Sequence, residues 1–207
     1  MPYKNRVKVF AENEIYHIYA RGVNKIPIYS KEKDYKFFLY LLKKYLTPGY
    51  REKIVIGEQV VYKEIDSVAG KAELYCYTLI PNHFHMIIKN ISVDGITLLS
   101  RRVFTTYSNY YNKEQKREGN LLQGSYRAIH IESEQQFINS SIYTHINSYK
   151  HKLVKKVKDY PYSSYHNYLT NTKLPWLTLD KSLLEDIDYN NIESYYHIAE
   201  EYEEKNL

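Results

Sequence analysis

The stretch PNHFH sets two imidazoles, His83 and His85, on either side of Phe84, with YCYTLI before it and MIIK after it. Side chains alternate across a strand, so both histidines point to one face and Phe84 to the other. Two imidazoles on one face can share a metal ion. Two hydrogen-bonded structural histidines fit the same spacing, and the motif alone does not separate the readings. No HExxH is present, and with Cys76 as the one cysteine there is no cysteine pair. A further ligand must therefore come from another element. The segment EQQFINSSIYTHINSYKHKLV offers one. Ile138, Ile142, Ile146, Tyr149 and Leu153 recur at helical spacing and predict a buried face. Asn139, Ser140, Tyr143, Asn147 and Lys150 fall on a neighbouring polar face. Tyr143 and Asn147, four residues apart, share one side of that helix. A phenol with a carboxamide one turn on is a candidate nucleophile beside a metal-ligating oxygen. An exposed tyrosine with an ordinary hydrogen bond has the same pattern, and among 25 tyrosines residue type alone nominates none.

The elements that must position these groups are legible in outline. IYHIYARG reads as a first strand. KEKDYKFFLYLLKKYL carries Tyr35, Phe38, Leu39, Leu42 and Leu46 at helical spacing, with Ser30 as N-cap and Pro48-Gly49 as the stop. KIVIGEQVVYKEI reads as a hairpin about Gly57-Glu58, an insertion within 50–70. LYCYTLI and FHMIIK are strands joined at Pro81-Asn82 by a turn or a kink. Ile96, Leu99, Val103, Tyr107 and Tyr110 mark an amphipathic helix, and SYRAIHIE a further strand. Ser133 then opens the helix bearing Tyr143, with Gln136 completing a weak capping box. Strands interrupted by helices in this order predict an α+β fold, an antiparallel sheet with helices packed on it.

Composition narrows the partner. Hydrophobic residues make up 43% of 207, the range of a globular chain. No apolar run approaches the roughly 18 residues of a membrane span. The charged start MPYKNRVKVFAENE has no apolar leader pattern, and a single cysteine suits a reducing compartment, so the expectation is a cytoplasmic protein. Net charge is +5, unevenly spread: nine acidic and two basic residues lie in 176–207, against 15 acidic and 27 basic before them. A basic body with an acidic C-terminal extension suggests a polyanionic partner, although a lysine-rich solvated surface gives the same count.

Taken together, HIYARGVNKIPIYSKEKDYKFFLYLL, YTLIPNHFHMII, LLQGSYRAIHIESEQQF, IYTHINSYKHKLV and DYPYSSYHNYL resemble, in order and rough spacing, the REP-associated tyrosine transposases. These belong to the wider single-tyrosine HUH insertion-sequence transposases. The resemblance covers roughly residues 16–169. It implies a ferredoxin-like catalytic domain over 1–170 and an irregular or helical acidic extension over 171–207. It implies that His83, His85 and Asn147 bind a divalent ion, Mg²⁺ or Mn²⁺. Tyr143 is then the nucleophile that cleaves and rejoins single-stranded DNA through a covalent 5′-phosphotyrosine. DNA-binding residues map to Arg21, Asn24 and Lys25 in ARGVNK, and to Gln123, Tyr126 and Arg127 in QGSYR. Arginine and lysine suit phosphates, asparagine and glutamine suit base edges, and tyrosine suits stacking.

Three departures stand out. Ser148 replaces a proline common after the tyrosine, which lets the helix continue. YPYSSY stands where tryptophan is common. The 50–70 stretch is longer than usual, which bears on the DNA surface or a dimer contact. The implied partner is single-stranded or hairpin DNA, bound by a nucleoid-associated monomer or homodimer. The alternatives are a catalytically silent hairpin-DNA-binding relative and an unrelated RNA-binding ferredoxin-like domain.

Overall fold

The computed structural model describes residues 9–207. Most of the charged N-terminal start, at 1–8, lies outside the described residues. Strand β1 (Glu14–Arg21) is followed by helix α1 (Glu32–Leu46), hairpin β2 (Arg51–Ile56) and β3 (Gln59–Glu64), then β4 (Ala72–Ile80) and β5 (His83–Asn90). Helix α2 (Gly95–Glu114), strand β6 (Arg127–Ile131) and helix α3 (Glu134–Lys150) come next, then α4 (Tyr165–Leu169), α5 (Lys181–Asp186) and α6 (Tyr196–Asn206). The main sheet runs β4-β5-β1-β6 with every recorded pair antiparallel, the order of the ferredoxin-like fold that the resemblance implies.

Local chemistry explains the elements. In α1 the residues Tyr35, Phe38, Leu41, Leu42 and Leu46 are buried, so Leu41 replaces the predicted Leu39 in the stripe. Asp34, not the Ser30 hydroxyl, caps its start by accepting from the Ser30 and Lys31 amides at 2.8 and 2.9 Å. In α2 the stripe ends on Tyr111 rather than Tyr110. β2 and β3 form their own two-stranded sheet, with Gly57 at φ +62° in the turn, where glycine carries no Cβ penalty. Glu52 ties that hairpin to α1 by accepting from Tyr40 and Lys44 at 2.8 and 2.7 Å. Pro81-Asn82 is a tight turn, with Ile80 paired to His83.

Alternation divides the core. Tyr16, Ile18 and Ala20 of β1 and Phe84, Met86 and Ile88 of β5 pack with α1 and α2 on one side of the sheet. Cys76 and Ile87 pack with Ile142 and Ile146 of α3 on the other. The C-terminal segment closes this second layer through Leu183, Ile187, Ile192, Ala199 and Tyr202. It also covers the outer edge of β4. Leu79 N donates to Tyr162 O at 2.9 Å, Ser164 N to Tyr77 O at 3.0 Å, and the Thr78 hydroxyl to Ser163 Oγ at 2.8 Å. An edge so paired is closed to further strands.

The same segment explains where α3 departs from its predicted pattern. Ile142 and Ile146 are buried, but Leu153 lies past the helix end and is 40% exposed, while Tyr143 and Asn147 are 2% and 0% exposed. The polar face is thus a second buried face, covered by a segment some sixty residues later. Ser133 caps α3 as expected, accepting from Gln136 N at 3.2 Å, and with Ser148 in place of proline the helix runs to Lys150.

His145, on α3, is fully buried, and its Nε2 meets Ser164 Oγ at 2.9 Å. Burial lowers its pKa from 6.5 to about 3. The folded protein therefore holds it neutral while the unfolded chain takes a proton below 6.5, so stability present above pH 6.5 is lost progressively as pH falls towards 3. Between pH 7.5 and 5.0 this one group costs about 2 kcal/mol. Urea unfolding of His145→Gln is expected to lose about that much less over the same interval. An unchanged loss contradicts the assignment.

Candidate functional site

Register brings the candidate residues to one end of the sheet. Arg21 pairs with His83 across β1 and β5, Tyr19 with His85, and Tyr19 with Arg127 on β6. Paired residues share a face, so Tyr19, Arg21, His83, His85 and Arg127 lie together, on the face that α3 covers. Phe84 turns to the other layer against Phe38 and Phe104. Gly22 N donates to Asn82 O at 2.8 Å and Gln123 N to Arg21 O at 2.8 Å, which ties the three loops at this end together. Gly22 is required there, because a Cβ would sit 2.2 Å from the Ile26 carbonyl oxygen.

The tyrosine helix docks over the two histidines. The Tyr143 ring lies 5.1 Å from that of His85, edge to face at 90°. His83 Nε2 is 3.1 Å from Asn147 Oδ1, and its Nδ1 is 2.7 Å from Asn82 Oδ1. A neutral imidazole has one N–H and cannot donate to both oxygens. Burial, with His151 nearby, lowers the His83 pKa to about 4, so the neutral ring is the form present at pH 7. With its proton on Nδ1, the Nε2 lone pair faces the Asn147 oxygen, an arrangement that a cation completes. The 3.1 Å separation matches the roughly 3 Å between two cis ligands of an octahedral ion with bonds of about 2.1 Å. Asn147 Nδ2 is buried without a partner, so its amide is not oriented by that group. Among the described residues no three His, Cys, Asp or Glu side chains gather for a metal; beside the two imidazoles the remaining oxygen is this carboxamide's. Two imidazoles that line a pocket, with an amide oxygen buried beside one of them, are a donor set suited to a divalent ion that keeps waters or phosphate oxygens.

His85 is oriented from behind. Its Nδ1 lies 2.8 Å from Nε2 of His17, whose Nδ1 is 2.9 Å from the Tyr202 hydroxyl. Burial lowers the His17 pKa to about 3, and burial with the neighbouring histidines holds His85 well below its usual value. Both rings are neutral, with one proton for each bond. When His85 donates through Nδ1, its Nε2 carries a lone pair towards the pocket.

The pocket holds about 370 Å³ and is lined by Arg21, Gln123, Arg127, His83, His85, Tyr143 and the Glu203 side chain of α6, among others. Arg21 Nε donates to Gln123 Oε1 at 2.6 Å, so these two act as one unit at the rim. Burial and then the Glu203 carboxylate push the Tyr143 phenol well above 10, while the neighbouring Asn147 amide pulls it back. The phenol is therefore protonated at neutral pH. Asn24 and Lys25 sit one loop away in left-handed backbone, φ 51° and 62°, exposed and outside the pocket. Tyr126 packs against Phe10 and Phe104 in the α1/α2 layer.

Sequence reasoning did not single out His17, Tyr202 or Glu203. His17 carries a faint signal, since it alternates with Tyr19 and Arg21 on the first strand. Tyr202 and Glu203 carry none, because the return of α6 over α3 is a tertiary contact between segments sixty residues apart.

Neither a protein-family model nor a curated protein matches the chain. A solved structure does: a REP-associated tyrosine transposase bound to a REP hairpin. The TM-score is 0.59 at 15% identity, over 87% of this chain and 93% of that one. At that identity the likeness shows a shared fold. Among the described residues no helix is long and apolar enough to cross a membrane.

Proposed function

We propose that the chain is a metal-dependent single-strand DNA transposase that cuts and rejoins DNA through Tyr143. The observation that supports it most is the convergence of His83 and His85 of β5 and Tyr143 of α3 on one pocket rimmed by Arg21 and Arg127, with Asn147 buried against His83. His83, His85 and Asn147 hold the divalent ion, Mg²⁺ or Mn²⁺, which when bound polarises a phosphate oxygen and offsets transition-state charge. Arg21 and Arg127 take the flanking phosphates. Tyr143 Oη attacks phosphorus: the new Tyr–O–P bond forms as the P–O3′ bond breaks, the phenol loses its proton and the departing 3′ oxygen gains one. The phosphoester energy is retained, so a 3′-hydroxyl can reverse the step and join strands. Asn24, Lys25 and Gln123 extend the DNA surface on the same side, and the expected home of such a protein is the cytoplasm.

The experiment is incubation of end-labelled, hairpin-bearing single-stranded DNA with Mn²⁺ or with chelator. The expected result is cation-dependent cleavage, leaving a free 3′-hydroxyl and protein attached to the 5′ end. Tight binding without cleavage identifies instead a silent hairpin-binding relative. The absence of both binding and cleavage contradicts the proposal.

His17 is the positioning residue of this site. His17→Gln is expected to weaken Mn²⁺ binding about 10- to 100-fold, read from the free-ion EPR signal and not from turnover. Tyr202→Phe, which leaves the His17 ring in place, is expected to do so less. Unchanged Mn²⁺ affinity in a folded His17→Gln protein removes His17 from the site.

A further inference from the structure

Just past α3 the chain carries five lysines within 150–158: Lys150, Lys152, Lys155, Lys156 and Lys158. Lys150 is paired with Glu203. The other four are exposed, and no salt bridge involves them among the described residues. Carboxylates beside this surface are Asp159, Glu193, which accepts from the Val157 amide at 2.8 Å, Glu200, which accepts from the Tyr196 hydroxyl, and Glu203, which Lys150 already pairs. Beside them lies a groove of about 600 Å³, lined by Tyr149, Tyr196, Leu153, Val154, Lys152 and Lys155. Its walls are aromatic and aliphatic, its rim cationic. The two tyrosine rings stand 6.0 Å apart at 83°, and Leu153 is 40% exposed.

The groove adjoins the candidate active site. His151, between Lys150 and Lys152 in sequence, has its ring 4.8 Å from that of His83. The Glu203 partner of Lys150 lines the catalytic pocket. A chain leaving the pocket past His151 therefore meets the lysines next. Lysines without fixed partners suit a phosphate backbone, and an apolar floor with two tyrosines suits bases through their faces, whatever their identity. No asparagine or glutamine lines the groove to read a base edge.

We propose that this groove is a sequence-tolerant channel for the single strand flanking the scissile phosphate, an inference that rests on the reading of the pocket as a DNA-cleaving site. Its lysines hold the backbone, and its tyrosines and Leu153 hold one or more bases. The channel is separate from Arg21, Gln123 and Arg127, which lie at the end of the sheet.

The test is fluorescence anisotropy with three oligonucleotides: a blunt hairpin, and the same hairpin with a thymidine extension on its 5′ or 3′ side. Lys152→Glu/Lys155→Glu/Lys156→Glu alters only exposed side chains, and its fold is checked by circular dichroism. It is expected to bind one extended hairpin about tenfold or more weaker than the parent does and the blunt one within about twofold. The slope of log affinity against log salt on that extended DNA is expected to flatten by about 2, at roughly 0.7 for each phosphate that a lysine no longer neutralises. Tyr196→Ala is expected to weaken the same complex several-fold without changing the slope. If the parent binds extended DNA and the triple variant matches its affinity and slope, the channel is refuted while the pocket reading stands. A parent that binds no single-stranded DNA overturns both.

Discussion

Tyr143→Phe is expected to abolish the covalent protein–DNA adduct, lowering cleavage by at least roughly 10⁴-fold, while DNA affinity stays within about twofold. The phenol oxygen is the only atom removed, and the ring keeps its contacts with His85 and Tyr202, at 5.1 and 5.3 Å between centroids. Loss of one buried hydroxyl changes stability by about 1 kcal/mol, so the variant remains folded. Of the other tyrosines near the pocket, Tyr202 is tied through its oxygen to His17. Tyr19 lines the pocket on the strand, pairs in register with His85, and lies on the rigid sheet rather than on a helix. A Phe variant that forms as much adduct as the parent assigns the nucleophile elsewhere. The buried phenol also has a consequence for rate. It is held protonated at neutral pH by burial and by Glu203, so Glu203→Gln is expected to raise the cleavage rate at a fixed pH, measured in single-turnover assays.

The second large effect is on the ion. His83→Ala and His85→Ala are each expected to weaken Mn²⁺ binding by more than about 100-fold, beyond what a supporting residue costs, because each removes a donor. Asn147→Ala is expected to have the same sign and a smaller size, since an amide oxygen is the weakest donor of the three. The cavity it leaves inside α3 is small. Calorimetric titration of Mn²⁺ into the DNA-free protein reads the effect without any turnover. His83→Ala with unchanged Mn²⁺ affinity means that the lone pairs facing each other across 3.1 Å are bridged by a proton and not by a metal.

Much of this was legible in the chain. Period-2 alternation placed His83 and His85 on one face and Phe84 on the other, and the ladder with β1 bears this out. Helical spacing found α1 and α2 to within one stripe position, because each buries one face, against the sheet and the other helix, and leaves the opposite face to solvent. It described α3 less well. A helix covered on two sides has no single apolar stripe, and Tyr143 and Asn147 looked solvated because the residues that bury them come from α6. Polar residues tolerate that burial where they have work to do: Asn147 faces His83, and Ser140 and Ser141 bond back to Phe137 O. His17 was invisible as a partner of His85 because the β1–β5 register that joins them is a non-local pairing. Loop residues divided for the same reason. Arg21 and Arg127 reach the pocket through strand pairing and Gln123 through its bonds to Arg21, whereas Tyr126 points to the other layer.

The central claim is that the tyrosine one turn before Asn147 takes the DNA. Digesting the Mn²⁺-dependent adduct with trypsin and nuclease isolates the peptide spanning residues 128–150, which holds both Tyr143 and Tyr149. Fragmentation by mass spectrometry distinguishes them. A nucleotide mass on Tyr143, absent when chelator replaces Mn²⁺, is the expected result. The same mass on Tyr149 or on a peptide from another part of the chain, or cleaved DNA with no attached protein, would contradict it.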